Sequence, residues 1–509
     1  MNKRNGILIL NLNSPHCYTI GRKIRELEVY SEIVPHNITA REIEALTKKF
    51  DIKGIILPDS DSQELSIKCF SDILNLNIPI LGISYGCYLI AQIFNGKIKQ
   101  GLKEDRIVNI KIEIPTGVLE GFRSKEKVFI TRGDIIIELP GGFEVLAKTE
   151  DNAIAAFQHR NKPVYGVIWK PEVIYTENGI KMLNNFINIC KCRRSWKIEQ
   201  IAANAIKEIK QIAGDKKAVI ALSGGIDSST AAVLASKAIG RNLIAIFVDN
   251  GFLREDEVEF VKQSFKELNF NLIQVDARQR FLRKLRGIKN PEQKRKLIGE
   301  EFIRVFEDAA RKNSAEFLIQ GTIYTDRVES GSRGYDKIKT YHNVHGLSTR
   351  IKFKRIIEPL KDLYKDEIRK IAEYLGLPRK IVWRQPFPGP GLAIRIVGEV
   401  TAEKLRILRS CDEIVAEELE KSGVSVDLWQ YFAILTNTKS TGIKKGSRAY
   451  GCVVAIRAVV SKEALTATFA KIPYGILENI STRITAEIPE VTRVVYDITH
   501  KPPSTIEWE

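Results

Sequence analysis

The sequence predicts a multi-domain α/β protein, and three observations carry that expectation. Short apolar runs of strand length recur at Ile7–Leu10, Gly54–Leu57, Pro79–Gly82 and Val164–Trp169, with helix-like segments between the earlier ones. That alternation is the pattern of a mainly parallel sheet packed between helices. The same order of strand, loop, helix and strand restarts near Lys217 and reads as a right-handed parallel crossover. The third observation is length: 509 residues, at roughly 150 per domain, leave room for about three.

The first domain is expected over residues 1–193, closing at the charged segment Lys191-Cys192-Arg193-Arg194-Ser195. The second, 194–384, is expected to hold a strand at Lys217–Leu222, a loop at Ser223–Ser229, a helix at Thr230–Ile239 and a strand at Leu243–Val248. Ala231, Leu234, Ala235, Ala238 and Ile239 give that helix one apolar face, and Gly240 stands where a left-handed helix stop belongs. At Gln385-Pro386-Phe387-Pro388-Gly389-Pro390-Gly391 proline and glycine interrupt helix and ladder alike. The tail, 385–509, reads as α+β, with a helix at Leu405–Leu419 and strands at Phe432–Leu435, Gly451–Val460, Val494–Ile498 and Thr505–Trp508.

Apolar residues at 44% and charged residues at 28% supply enough burial to exclude collagen-like and wholly disordered chains. No run approaches the roughly 18 apolar residues of a membrane span, and the opening apolar run, Gly6–Leu10, is too short for a secretory signal. A cytoplasmic protein with no membrane partner is expected. Seven scattered cysteines, at 17, 69, 87, 190, 192, 411 and 452, suit free thiols better than a disulfide framework. Cys190-Lys191-Cys192 has the wrong spacing for a zinc knuckle. The net charge of +17 suits polyanionic partners. No basic stretch is interleaved with aromatics, so nucleotide phosphates are expected as partners and nucleic acid is not.

The loop Ser223-Gly224-Gly225-Ile226-Asp227-Ser228-Ser229 lies between a buried strand and a helix start. Glycines there let backbone N–H groups approach an anion, and the helix N-terminus adds partial positive charge. The lysine of a GxxxxGK[ST] loop is missing, which disfavours a kinase or GTPase, and so is the GxGxxG of dinucleotide folds. Asp227 could hold a metal, orient the loop or cap the helix; the residues alone leave these open. Asp249-Asn250-Gly251 ends the next strand at the carboxyl edge, where such sheets bind ligands.

SGGIDSS resembles the pyrophosphate-grasping loop of the ATP-pyrophosphatase superfamily. Four further stretches narrow the resemblance: VDNGFLR (248–254), QGTIYTDRVES (320–330), RQPFPGPGLAIR (384–395) and RVVYDITHKPPSTIEWE (493–509). In this order they are similar to the GMP synthetase family. The resemblance implies ATP with Mg²⁺, with xanthosine monophosphate (XMP) adenylated and then aminated by ammonia, or by glutamine through it. It implies that residues 223–229 and 249–251 bind ATP, and that Asp227 is the metal and catalytic acid. Lys339 and His342, with Asn343, match a lid segment whose cations would close over the triphosphate, which makes Lys339 and His342 catalytic candidates beside Asp227, although Tyr341 and His345 depart from the family's pattern. Arg395, Lys501, Thr505, Ile506 and Glu507 match its XMP-binding positions, with Lys501 suited to the 5′-phosphate. A homodimer formed by the tail is also implied.

The first domain resembles a class I glutamine amidotransferase unit, through RKIRELEVYSEIVPHN (22–37), KGIIL (53–57), ILGISYG (80–86) and GVIWKPEV (166–173). Those enzymes need a cysteine on a strained elbow, a histidine base and a glycine-rich oxyanion loop. Here Ser84 holds the nucleophile position, Lys170 replaces the histidine beside the retained Glu172, and Pro58-Asp59-Ser60-Asp61 replaces the glycine loop. Asn11-Leu12-Asn13-Ser14 also departs from the first-strand signature. Gly-x-Ser-x-Gly is a serine-hydrolase elbow too, but Lys170 would first have to lose its proton. Cys87 with His159 is a further substitute pair. The expectation is a retained scaffold without glutaminase chemistry, and hence an ammonia-dependent GMP synthetase. Glutamine hydrolysis by unusual residues, a thiolating or aminating tRNA enzyme, and a nucleotide-binding pseudoenzyme are the alternatives.

Overall fold

The apolar run Ile7–Leu10 is fully buried inside the strand Asn5–Asn11. The structure is a computed structural model that describes all residues except 1–2, 15, 49, 61–67, 102–103, 132–133, 267–269, 332–352 and 462–465. Two compact units make up the chain, Met1–Ile201 and Ala202–Glu509.

In the first unit nine strands form one sheet, in the spatial order Tyr30–Pro35, Asn5–Asn11, Asp51–Leu57, Ile80–Ile83, Val164–Val167, Ile154–His159, Phe143–Thr149, Arg106–Ile112 and Lys125–Ile130. The first four junctions are parallel and the remaining four antiparallel. The sheet is therefore mixed rather than mainly parallel. Connections decide this: Thr149 and Ile154 are too close in sequence for the dozen or more residues a parallel crossover needs. Helices Tyr85–Ile93 and Gly179–Ile189 bury their apolar faces, Leu89 and Ile90 in one, Leu183 and Phe186 in the other.

In the second unit five parallel strands lie in the order Asn271–Asp276, Leu243–Asp249, Ala218–Ala221, Phe317–Ile319 and Arg355–Ile357. Every residue of Leu243–Asp249 is buried, which is why this strand reads as an unbroken apolar run. From Ala218–Ala221 the chain winds outward to one side, then returns to add Phe317–Ile319 on the other. The direction of winding reverses at Ala218–Ala221, so the crevice beyond its carboxyl end is the switch point where such sheets take ligands. Residues 222–225 lie there.

The tail builds a long antiparallel hairpin, Gln430–Lys444 with Ser447–Val460, flanked by Thr468–Phe469 and, in parallel, by Val491–Tyr496. Helices Ala402–Lys421 and Tyr474–Glu487 cover it. One apolar core runs from Val219, Ile246 and Phe306 through Leu392 and Leu408 to Ile456 and Ile484, so the parallel sheet and the tail share a core. The strand expected at Thr505–Trp508 does not form. Buried arginines satisfy that segment's polar groups instead, as described below. No helix among the described residues is long and apolar enough to cross a membrane.

Candidate functional site

Helix Ile226–Ile239 begins after Gly224, which takes a positive φ of 74°, and Gly225, which provides no side-chain cap. The hydroxyls of the loop close it from within. Ser228 Oγ accepts from Ser223 N–H at 3.2 Å and meets Ser223 Oγ at 2.9 Å, while Ser229 Oγ donates to the Gly225 carbonyl at 2.7 Å. The turn is thus set by its own side chains, and Gly225 brings no side chain to cap the helix N-terminus. A Cβ at Gly224 would sit 3.2 Å from Glu257 Oε1. That carboxylate is buried and holds Arg384 Nη1 at 2.5 Å, which sets a paired cation beside the loop.

Asp227 is half-buried and its two oxygens accept from Lys365 Nζ at 2.8 and 2.6 Å. Sequence reasoning missed Lys365. Its signal is positional: it opens helix Lys365–Tyr374, and a cation is unfavourable at a helix N-terminus unless a carboxylate faces it. Asp249 and Asn250 are buried and turn inward, Asp249 Oδ1 accepting from Gly251 N–H and Asn250 Oδ1 from Phe252 N–H, each at 2.9 Å. They shape the strand end, where Gly251 has a φ of 80° and a Cβ would meet Arg278. The described residues contain no group of three or more His, Cys, Asp or Glu able to hold a metal. A metal near Asp227 would therefore be held by one carboxylate plus ligand oxygens, the usual arrangement for Mg²⁺ on nucleotide phosphates.

The carboxyl-terminal candidates gather on three buried cations. Arg395 is fully buried and binds Glu507 through two bonds of 3.0 and 2.9 Å, its guanidinium 3.9 Å from the Phe432 ring centroid. Arg457, within the apolar strand Ser447–Val460, reaches Asp497 at 3.1 Å, Ser504 Oγ at 3.0 Å and the Thr505 carbonyl at 3.1 Å. Lys294 has no exposed surface; its Nζ binds the Ile396 carbonyl at 2.7 Å and the Glu509 carboxylate. Ile506 packs with Phe432, Ile434 and Val459, and the Thr505 hydroxyl donates to the Glu507 carbonyl. Lys501 pairs its backbone with Ala467 in both directions, and its side chain is partly exposed. Arg457 was legible as a charge inside an apolar run, whereas Lys294, within the charged stretch Gln293–Lys296, gave no signal. Lys339, His342 and Asn343 lie outside the described residues.

In the amino-terminal unit Ser84 stands on a strained elbow, with φ 49° and ψ −111°, between strand Ile80–Ile83 and helix Tyr85–Ile93. The backbones cross so closely that a Cβ on Gly86 would fall 1.9 Å from the Leu57 carbonyl oxygen. Ser84 Oγ donates to Asp59 Oδ1 at 3.0 Å. Asp59 Oδ2 pairs with Lys170 Nζ at 2.9 Å, and Lys170 Nζ in turn lies 3.0 Å from His16 Nε2. His16 Nδ1 meets Glu172 Oε1 at 3.0 Å. Ser84, Lys170 and the retained Glu172 are thus joined into one chain of contacts by Asp59 and by His16; sequence reasoning did not single out His16. Lys170 is engaged with a carboxylate and not with the serine. Burial pushes the Cys87 thiol well above its ordinary range. His159 Nδ1 accepts from the N–H groups of Asn161 and Lys162.

A glycine-serine turn opening a helix at the switch point of a parallel sheet, sharing its core with an α+β tail, has the architecture of the pyrophosphatase-loop class; the other unit has the elbow architecture of an amidotransferase. The family models for "Glutamine amidotransferase class-I", "NAD synthase" and "GMP synthase C terminal domain" match residues 8–190, 198–316 and 417–508. The chain is 48% identical to the protein named GMP synthase [glutamine-hydrolyzing] of Caldicellulosiruptor saccharolyticus, covering 99% of each chain. It is 45% identical to the one of Clostridium tetani over 100% of each, and 46% identical to the one of Bacillus subtilis over 99% of this chain and 98% of that one. The chain belongs to the GMP synthase family, ligases that form a carbon–nitrogen bond in purine biosynthesis.

Proposed function

We propose that the chain converts XMP to GMP with free ammonia, consuming ATP and releasing AMP and pyrophosphate. The observation that carries the adenylation half is the Ser223–Ser229 turn at the switch point, whose helix start has no side-chain cap. The α-phosphate is attacked by the C2 carbonyl oxygen of XMP, and the leaving pyrophosphate rests on backbone N–H groups at the front of Ile226–Ile239, where its charge is met without reorganisation. Mg²⁺ bound with ATP would neutralise phosphate charge, and Asp227, whose oxygens accept from Lys365 Nζ, would be the carboxylate that holds it. Asp249, Asn250 and Gly251 form the adjoining wall. Arg395 and Glu507 brace the segment that carries Thr505, Ile506 and Lys501, the last of which takes the nucleotide's 5′-phosphate. Ammonia then displaces AMP from C2. The work is done in the cytoplasm by a homodimer built on the tail, and 1–193, 194–384 and 385–509 serve as amidotransferase-like, ATP-cleaving and nucleotide-binding domains.

Free ammonia is favoured as the nitrogen source by Ser84, Lys170 and Asp59 at the elbow. A serine needs a base to attack; Lys170 is paired with Asp59, and the Asp59 carboxylate that accepts from Ser84 Oγ at 3.0 Å is far too weak a base to take a hydroxyl proton. The second reading, glutamine as donor, is favoured by the names of relatives 45–48% identical over nearly the whole chain. Measuring GMP formation with NH₄Cl and with glutamine separates them. Synthesis with NH₄Cl and less than about a hundredth of that rate with glutamine is the expected outcome; comparable rates would overturn the ammonia reading.

A further inference from the structure

We propose that Asp59 is the residue that bars oxyanion stabilisation at the elbow, acting as a built-in anion on the backbone donor a tetrahedral intermediate would need. The proposal rests on the reading that this unit hydrolyses no glutamine, and it locates the block. On a strand–turn–helix elbow the oxyanion is held by the N–H after the nucleophile, helped by an N–H from the loop after a neighbouring strand. Here the N–H after Ser84 belongs to Tyr85, and it donates to Asp59 Oδ1 at 3.3 Å, the same oxygen that accepts from Ser84 Oγ. The loop that should bring a second donor, directly after strand Asp51–Leu57, begins with Pro58, which has no N–H; its carbonyl instead accepts from Gly86 N–H at 3.2 Å.

Asp59 is held there firmly. Its other oxygen takes Lys170 Nζ at 2.9 Å and the Thr131 hydroxyl at 3.4 Å, the neighbouring Ser60 Oγ donates to the Leu12 carbonyl at 2.8 Å, and Asp59 itself is 1% exposed. A carboxamide oxygen gaining charge at Tyr85 N–H would face a fixed carboxylate in a low-dielectric interior, where like charges repel strongly. Restoring the nucleophile and the base is therefore insufficient while Asp59 remains.

The experiment compares full-length Ser84→Cys/Lys170→His with the same protein carrying Asp59→Gly or Asp59→Asn. In each, the introduced thiolate would add to the γ-carboxamide carbon of glutamine, moving the carbonyl electron pair onto oxygen. Collapse breaks the carbon–nitrogen bond and expels ammonia with a proton from the introduced imidazolium, and water hydrolyses the thioester to glutamate. Glutamate release in the Asp59→Gly triple variant is expected to exceed that of the double variant by about a hundredfold or more, the size of one oxyanion donor. Should melting show that this triple variant does not fold, the Asp59→Asn triple variant, which removes the charge at constant shape, is expected to exceed the double variant at least about tenfold. Equal rates in the double variant and the folded triple variant would overturn the role of Asp59. Glutamine turnover by the unaltered chain would instead overturn the ammonia reading beneath it, so the two failures are told apart.

Discussion

Asp227 and Ser84 occupy similar places, each just after a buried strand at the start of a helix, yet their surroundings give them opposite prospects. Asp227 is partly exposed beside the turn and, among the described residues, pairs with Lys365. Asp227→Ala is expected to lower XMP-dependent ATP–pyrophosphate exchange by more than about a hundredfold, measured with labelled pyrophosphate. Ser84 is sealed, its hydroxyl engaged by Asp59. Ser84→Ala is expected to leave ammonia-driven GMP formation unchanged, and a loss of that activity would show that the elbow takes part in synthesis.

At the scale of the element, close backbone approach rather than side-chain choice governs the elbow. The Gly86 Cα faces the Leu57 carbonyl with no room for a methyl group, so Gly86→Ala should force strand and helix apart. A loss of about 3 kcal/mol is expected in urea unfolding followed in the amino-terminal unit. The phosphate turn was legible in the sequence because glycine, serine and aspartate at fixed offsets determine a helix start locally. The antiparallel half of the first sheet was not: Arg106–Ile112 is largely exposed until its last three residues and Lys125–Ile130 alternates exposed and buried positions, and local pattern alone does not say which sheet such ribbons join. Thr505–Trp508 misled for the opposite reason. Its alternation is strand-like, but Arg395 and Arg457, far away in sequence, claim its polar groups before a ladder can.

Across the whole molecule, the unit Ala202–Glu509 depends on a core shared by the phosphate sheet and the tail. Leu408 on helix Ala402–Lys421 is fully buried in it, and Leu408→Ala is expected to cost about 2–5 kcal/mol. Because the core is common, both XMP-dependent exchange and tail fluorescence from Trp429 should be lost in one transition; separate transitions would show that the two parts fold independently. Lys294 gives a second test. Removing one partner of a buried pair leaves the other unpaired at about 3 kcal/mol or more, so Lys294→Met is expected to lower the melting midpoint of this unit while leaving the amino-terminal unit's melting unchanged.

By itself the sequence determined the α/β class, the glycine-serine turn at a helix start, and the substitution of nucleophile, base and oxyanion loop, because each is written in contiguous residues whose backbone demands are local. Tertiary structure alone decided which side chains answer one another across long separations: Lys365 on Asp227, Lys294 on Glu509, Arg395 on Glu507, and Asp59 between Ser84 and Lys170. A buried charge must find its partner wherever the fold brings one, and no local spacing specifies that meeting.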